Sequence, residues 1–261
     1  MNRFATVALI LVFLSACASN APPAVPDDSS PQGALTVFAA ASLTESFDEI
    51  ATAFETAHPG VDVLLNFAGS NTLRAQIEQG ASVDMFASAN AKEMDALVTG
   101  GLITEGAPKI FLTNRLVIIT PTDNPAGVAS FDELAAPGLK LVLAAEEVPV
   151  GRYTRLMLDN VGPDFKERVL SNVVSNETNV KQVVAKVQLG EADAGIVYAS
   201  DAVATPELPV IEIPAEWNVL AKYPIATLKD APQPELADEF VAFVLSQDGQ
   251  AVLQKWGFTT P

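Results

Sequence analysis

The chain has 261 residues, 49% hydrophobic and 18% charged, enough for one large domain or two modest ones with real cores. Its 32 acidic residues against 15 basic ones leave a formal net charge of −17. That balance argues against nucleic acid as a partner, because a phosphate backbone demands basic patches, and it makes any anionic ligand approach against the overall field.

In chain order, Arg3 and the apolar run FATVALILVFL come first, a pattern of positive charge and hydrophobic stretch too short to span a bilayer comfortably. The run ends in Leu14-Ser15-Ala16-Cys17, which resembles the lipobox of bacterial lipoproteins, where the cysteine is lipidated and becomes the first mature residue. Cys17 is the only cysteine, so no disulfide claims it. The segment that follows, ASNAPPAVPDDSSPQG, has almost nothing to bury and reads as a tether. Residues 1–16 are therefore expected to be a lipoprotein signal peptide and 17–33 a disordered linker to an extracytoplasmic domain. A plain secretory signal with an incidental cysteine is the competing reading.

From Leu35 onward strands and helices alternate. LTVFAA predicts a strand, and Leu43 to Ala57 a helix with Leu43, Phe47, Ile50 and Phe54 on one stripe. VDVLLNFA predicts the next strand, Ser70-Asn71-Thr72 the start of a short helix, DMFASA a third strand and Ala91 to Thr99 a third helix. KIFLTNRLVIITP is a long extended run with a polar break at Asn114-Arg115. The alternation then restarts with strand LKLVLAA, a helix from Gly151, strand VVSN, a helix from Asn179 to Leu189, and strands AGIVYAS and VIEI. A second long run, NVLAKYPIATL, leads to two closing helices. Apolar strands separated by helices mean parallel units covered on both faces. Two long crossings that bracket a self-contained block point to one lobe inserted in another: residues 34–114 with 224–261, and residues 115–223.

Little in the chain can do covalent chemistry. The only histidine, His58, sits in the helix-ending turn AHPG, and the mature chain has no thiol nucleophile and no Cys/His metal cluster. Phosphate-binding and nucleophile-elbow glycine motifs are missing too. No catalytic residue, cofactor or direct cation ligand is therefore assigned.

What recurs is the start of a helix. Ser42 in AAASLTESF, Ser70 in NFAGSNTLRAQI, Val150 in VPVGRYTRLML and Val180 in NETNVKQVV all stand at one. Such ends expose unpaired N–H groups with about half a positive charge, and in open α/β folds they lie where ligands bind. Ser42-Leu43-Thr44-Glu45 also reads as a capping box, so N-capping competes with ligand contact for each serine.

The stretches VFAAASLTESF, FAGSNTLRAQIEQGASVDMFASA and GIVYASDAV resemble the molybdate-binding proteins of bacterial ABC importers, in order and over nearly the whole mature domain. The resemblance implies an α/β, two-lobed type II periplasmic-binding-protein fold with two mixed sheets and a cleft between the lobes. It implies a monomer that captures molybdate or tungstate and hands it to a membrane permease and its ATPase. Oxyanion contacts fall on Ser42, Ser70, the backbone of Val150 and Val180, and Tyr198, with the membrane anchor on Cys17.

A site of hydroxyls and N–H groups alone can hold a dianion, because each hydrogen bond to a charged acceptor contributes about 1.5–3 kcal/mol. With every hydroxyl proton turned toward the guest it has nothing to accept a proton, so protonated phosphate should bind weakly. A sulfate receptor, or a lipid-anchored sensor without transport, are the alternatives. Iron receptors of similar fold rely on paired tyrosines, and Tyr153, Tyr198 and Tyr223 are never adjacent in sequence.

Overall fold

The computed structural model describes residues 33–261. The signal segment at 1–16, Cys17 and all but the last residue of the tether at 17–33 lie outside the described residues.

The first half builds β1 (Gly33–Ala40), α1 (Thr44–Ala57), β2 (Val61–Ala68), α2 (Ser70–Glu78), β3 (Met85–Ala87), α3 (Ala91–Thr99) and β4 (Lys109–Asn114). The second half adds β5 (Leu116–Ile119), β6 (Leu141–Ala144), α4 (Pro149–Val161), α5 (Pro163–Ser171), β7 (Val173–Glu177), α6 (Val180–Gln188), β8 (Ala194–Tyr198), α7 (Ala199–Ala204) and β9 (Val210–Glu212). The chain closes with β10 (Ala221–Thr227), α8 (Pro234–Leu245) and α9 (Gln247–Lys255).

These strands form two mixed five-stranded sheets, ordered β2-β1-β3-β10-β4 and β7-β6-β8-β5-β9. In each, the strands joined through helices run parallel: β1 with β2 and β3, β6 with β7 and β8. The antiparallel members come from the extended crossings. β10 pairs antiparallel with β3 and β4, and β5 pairs antiparallel with β8 and β9. The polar break at Asn114-Arg115 is where the chain leaves one sheet for the other. On the return, β10 pairs with β4 from Ala221, three residues before position 224.

Helix α1 illustrates why the elements form. Leu43 just before it and Phe47, Ile50 and Phe54 within it are all fully buried on one stripe, and His58-Pro59-Gly60 ends it with Gly60 at φ 99°. The residues between Pro149 and Ser171 make two helices rather than one, because Gly162 at φ 128° turns the chain and Pro163 starts the next helix. A large apolar cluster includes residues of both sheets, and a smaller one, with Phe38, Leu73, Phe86 and Leu97, includes residues of β1, α2, β3 and α3. Among the described residues no helix is long and apolar enough to cross a membrane.

Candidate functional site

Ser42, Ser70, Val150, Val180 and Tyr198 all line one cavity. Each sits at the carboxyl end of a strand: Ser42 after β1, Ser70 after β2, Val150 after β6, Val180 after β7 and Tyr198 closing β8. The cavity is small, about 10 Å³ in the space open to the centre of a water molecule. Organic substrates occupy clefts of about 300–1,000 Å³, so the guest this space fits is a compact ion. No lining residue carries a charge.

Ser42 does not cap a helix. A 3₁₀ turn, Ala41–Leu43, separates β1 from α1, so the cap position falls on Leu43, which makes no side-chain bond. Both members of the expected capping box are engaged elsewhere. Ser42 Oγ lies 2.9 Å from the Tyr223 hydroxyl, and Glu45 accepts from Lys181 Nζ at 2.8 Å on each carboxylate oxygen. Ser70 opens α2 behind Gly69 and makes no cap either; its Oγ accepts the Ala89 N–H at 3.0 Å.

Val150 and Val180 offer backbone, not side chain. Their side chains belong to the apolar core, while the first N–H groups of α4 and α6 have no partner within their helices. In α6 the Asn179 side chain takes only the Gln182 N–H, at 3.1 Å.

Tyr198 is 1% exposed, and its hydroxyl has no hydrogen-bond partner among the described residues. An orphaned buried hydroxyl facing a cavity is a costly arrangement unless something there receives it. Burial, with Tyr223, Tyr153 and Asp201 close by, pushes its pKa well above the usual phenol range, so it keeps its proton and acts as a donor.

Tyr223 is the residue that sequence reasoning missed. It sits on β10, far from every motif, and nothing in NVLAKYPIATL marks it. The tyrosines that are never adjacent in sequence do meet in space: the Tyr198 and Tyr223 rings pack edge-to-face with centroids 5.8 Å apart. Both phenols are held protonated by burial, and no carboxylate, histidine or cysteine lines the cavity.

Two nearby cations are committed to other partners. Lys181, next to Val180, pairs with Glu45 and stands 3.3 Å from Asp201. Arg155 on α4 donates to the carbonyls of Ala144 and Gly151 and to Asn176 Oδ1. The residues lining the cavity are thus neutral, while Lys181 and Arg155 are engaged outside it. Among the described residues no group of three or more His, Cys, Asp or Glu could hold a metal ion.

Comparison with known proteins bears on the family and the fold. A family model described as bacterial extracellular solute-binding protein matches residues 35–259. The molybdate-binding protein ModA of Mycobacterium tuberculosis is 40% identical over 97% of this chain and 95% of its own. Among solved structures, the periplasmic molybdate-binding protein of Azotobacter vinelandii superposes with a TM-score of 0.77 at 21% identity, covering 87% of this chain and 99% of the other. The sulfate-binding protein SubI of M. tuberculosis superposes with a TM-score of 0.80 at 17% identity, covering 87% and 86%. At those identities the structural matches speak to the fold, two lobes each built on a mixed sheet. This chain belongs to the bacterial extracellular solute-binding proteins.

Proposed function

We propose that this chain captures molybdate outside the cytoplasm for an ABC importer, holding the oxyanion in the cavity between Ser42, Ser70, the amides of Val150 and Val180, and the Tyr198 hydroxyl. The 40% identity to a molybdate-binding protein over 97% of the chain supports the choice of ligand. The observation that carries the site is the buried Tyr198 hydroxyl, unpartnered and facing a charge-free cavity at several helix N-termini. Fixed donors that cost no reorganisation suit a guest with four acceptor oxygens and no proton to give.

Tungstate fits the same donors by charge and shape, and both are cargo rather than cofactor. We read the protein as a monomer without catalytic activity, tethered through lipidated Cys17 and serving a permease and its ATPase. We take the lobes as residues 34–114 with 224–261, and 115–223, with Ala221–Tyr223 already paired to β4 in the first sheet. A fold shared with a sulfate-binding protein keeps sulfate as the second reading. Cavity size then decides, since the charge and tetrahedral shape of the two anions match.

Thermal unfolding with molybdate, tungstate, sulfate and phosphate separates these readings, because binding to the native state alone raises the midpoint. Molybdate and tungstate should raise it, phosphate should not, and Ser70→Ala should cut the rise by removing one donor. Phosphate competing with molybdate at micromolar concentration contradicts a donor-only site.

A further inference from the structure

We propose that Tyr223, which stands behind the cavity rather than in it, fixes Ser42 as a hydrogen-bond donor to the guest and thereby enforces the preference for fully deprotonated oxyanions. The inference rests on the oxyanion reading of the cavity given above.

A hydroxyl has one proton to give and lone pairs to accept with, and it rotates to suit its partners. Ser42 Oγ and the Tyr223 hydroxyl are 2.9 Å apart, and distance alone leaves the direction open. If Ser42 gave its proton to Tyr223, it would turn only lone pairs toward an anion. If Tyr223 gives its proton to Ser42, the serine proton is free to point into the cavity. The phenol is the more acidic of the two hydroxyls and so the better donor, which favours the second arrangement.

Ser70 supplies an internal comparison. Its Oγ accepts the Ala89 N–H at 3.0 Å, a bond whose direction is fixed because an amide N–H can only donate. That bond occupies a serine lone pair and leaves the Ser70 proton for the cavity. Tyr223 stands to Ser42 as the Ala89 amide stands to Ser70. The two serines, on different elements and with unrelated partners, are prepared in the same sense.

The surroundings keep Tyr223 in that role. It is fully buried, and burial drives its pKa far above the usual phenol range against the pull of its hydrogen bond to Ser42, with Asp201 adding to the rise and Asn114 and Tyr198 opposing it. It therefore holds its proton across the whole working range of pH. A run from Tyr223 through Ser42 to the guest also aligns successive O–H dipoles, and each bond in such a chain strengthens the next. Tyr223 does not line the cavity, so it is a positioning residue, acting through Ser42.

The consequence is selectivity. With phenylalanine at 223, Ser42 loses the donor that occupies its lone pair and can turn to accept a proton from the guest. Calorimetric titration of the full chain and of Tyr223→Phe with molybdate and with phosphate reads this directly. Molybdate affinity should fall about tenfold, the value of one charge-assisted hydrogen bond. Phosphate affinity should not fall with it, so the ratio between the two narrows. An equal loss for both anions would mark a merely structural residue and overturn the inference, as would an unchanged ratio.

Ser42→Ala and the pair Ser42→Ala/Tyr223→Phe close the test even if Tyr223→Phe alone folds poorly. The pair removes both ends of one buried bond and leaves no orphaned partner. Equal molybdate affinity in these two variants is expected. A further loss on adding Tyr223→Phe would show that the tyrosine does not act through Ser42. If the unaltered chain binds no oxyanion, the reading of the cavity falls and this inference falls with it; if it binds molybdate and the ratio holds in Tyr223→Phe, the inference alone falls.

Discussion

Ser42 meets the Tyr223 hydroxyl and Glu45 pairs with Lys181, so the two residues form no capping box on α1. The extra 3₁₀ turn moves the start of α1 to Thr44 and takes Ser42 out of the cap position. Short-range spacing cannot foresee partners such as Tyr223 and Lys181, which lie 181 and 136 residues away in the chain. Asp201 was also silent in the sequence, part of a GIVYASDAV motif read for its tyrosine. It is fully buried, accepts the Tyr198 N–H at 3.2 Å and faces Lys181, with Glu45 beyond. Burial outweighs the lysine and raises its pKa from 3.8 to about 6. The folded state therefore holds this proton more tightly than the unfolded chain, and the stability it contributes falls as pH rises from about 4 to about 6 and then levels. Unfolding free energies from urea titrations across that window should decline more for the native chain than for Asp201→Asn, by a few kcal/mol at most. Parallel slopes would contradict the assignment.

At the scale of elements, the parallel strands and their helices were readable because each is an uninterrupted apolar run or a clean stripe, as in VDVLLNFA or Phe47, Ile50 and Phe54. The short α7, immediately after Tyr198, and the split between α4 and α5 were not, since six residues carry too little periodicity and Gly162-Pro163 acts through backbone alone. Two glycines separate what folds the elements from what brings them together. A Cβ at Gly151 would lie 1.9 Å from the Ala145 carbonyl oxygen and 2.5 Å from that of Ala144, so α4 could not seat against the end of β6. Gly151→Ala should destabilise the ligand-free protein by about 1–3 kcal/mol or more. Gly69 has φ −59° and ψ 136°, which any residue adopts, yet a Cβ there would lie 2.6 Å from the Thr178 carbonyl oxygen just before α6. The Asn71 Oδ1 at 2.7 Å belongs to a side chain that can turn away, so the backbone crowding falls on the approach of α2 toward α6, on opposite sides of the cavity. Gly69→Ala should leave ligand-free melting nearly unchanged while weakening molybdate binding about tenfold or more, because closed contact is what the guest requires. Equal damage to stability from both substitutions would contradict the distinction.

For the molecule as a whole, the crossings at Asn114-Arg115 and before Ala221 divide the donors between two sheets: Ser42 and Ser70 on the first, Val150, Val180 and Tyr198 on the second. A guest touching both sets stabilises the arrangement in which they face each other, and Lys181 bridging to Glu45 adds an ion pair across the same seam. Small-angle scattering should accordingly show the radius of gyration falling on addition of molybdate, and an unchanged radius would count against closure. The two-sheet plan was visible in the sequence as two extended runs around an α/β block, whereas the cavity's size was not, because it depends on how closely α2, α4 and α6 converge. The proposed site holds a doubly charged ion by neutral dipoles alone, in a protein of net charge −17. A crystal structure of the molybdate complex tests it most directly. Oxyanion oxygens should stand about 2.7–3.1 Å from Ser42 Oγ, Ser70 Oγ, the Val150 and Val180 amides and the Tyr198 hydroxyl. A lysine or arginine side chain in contact with the ion, or molybdate bound away from these five groups, would contradict it.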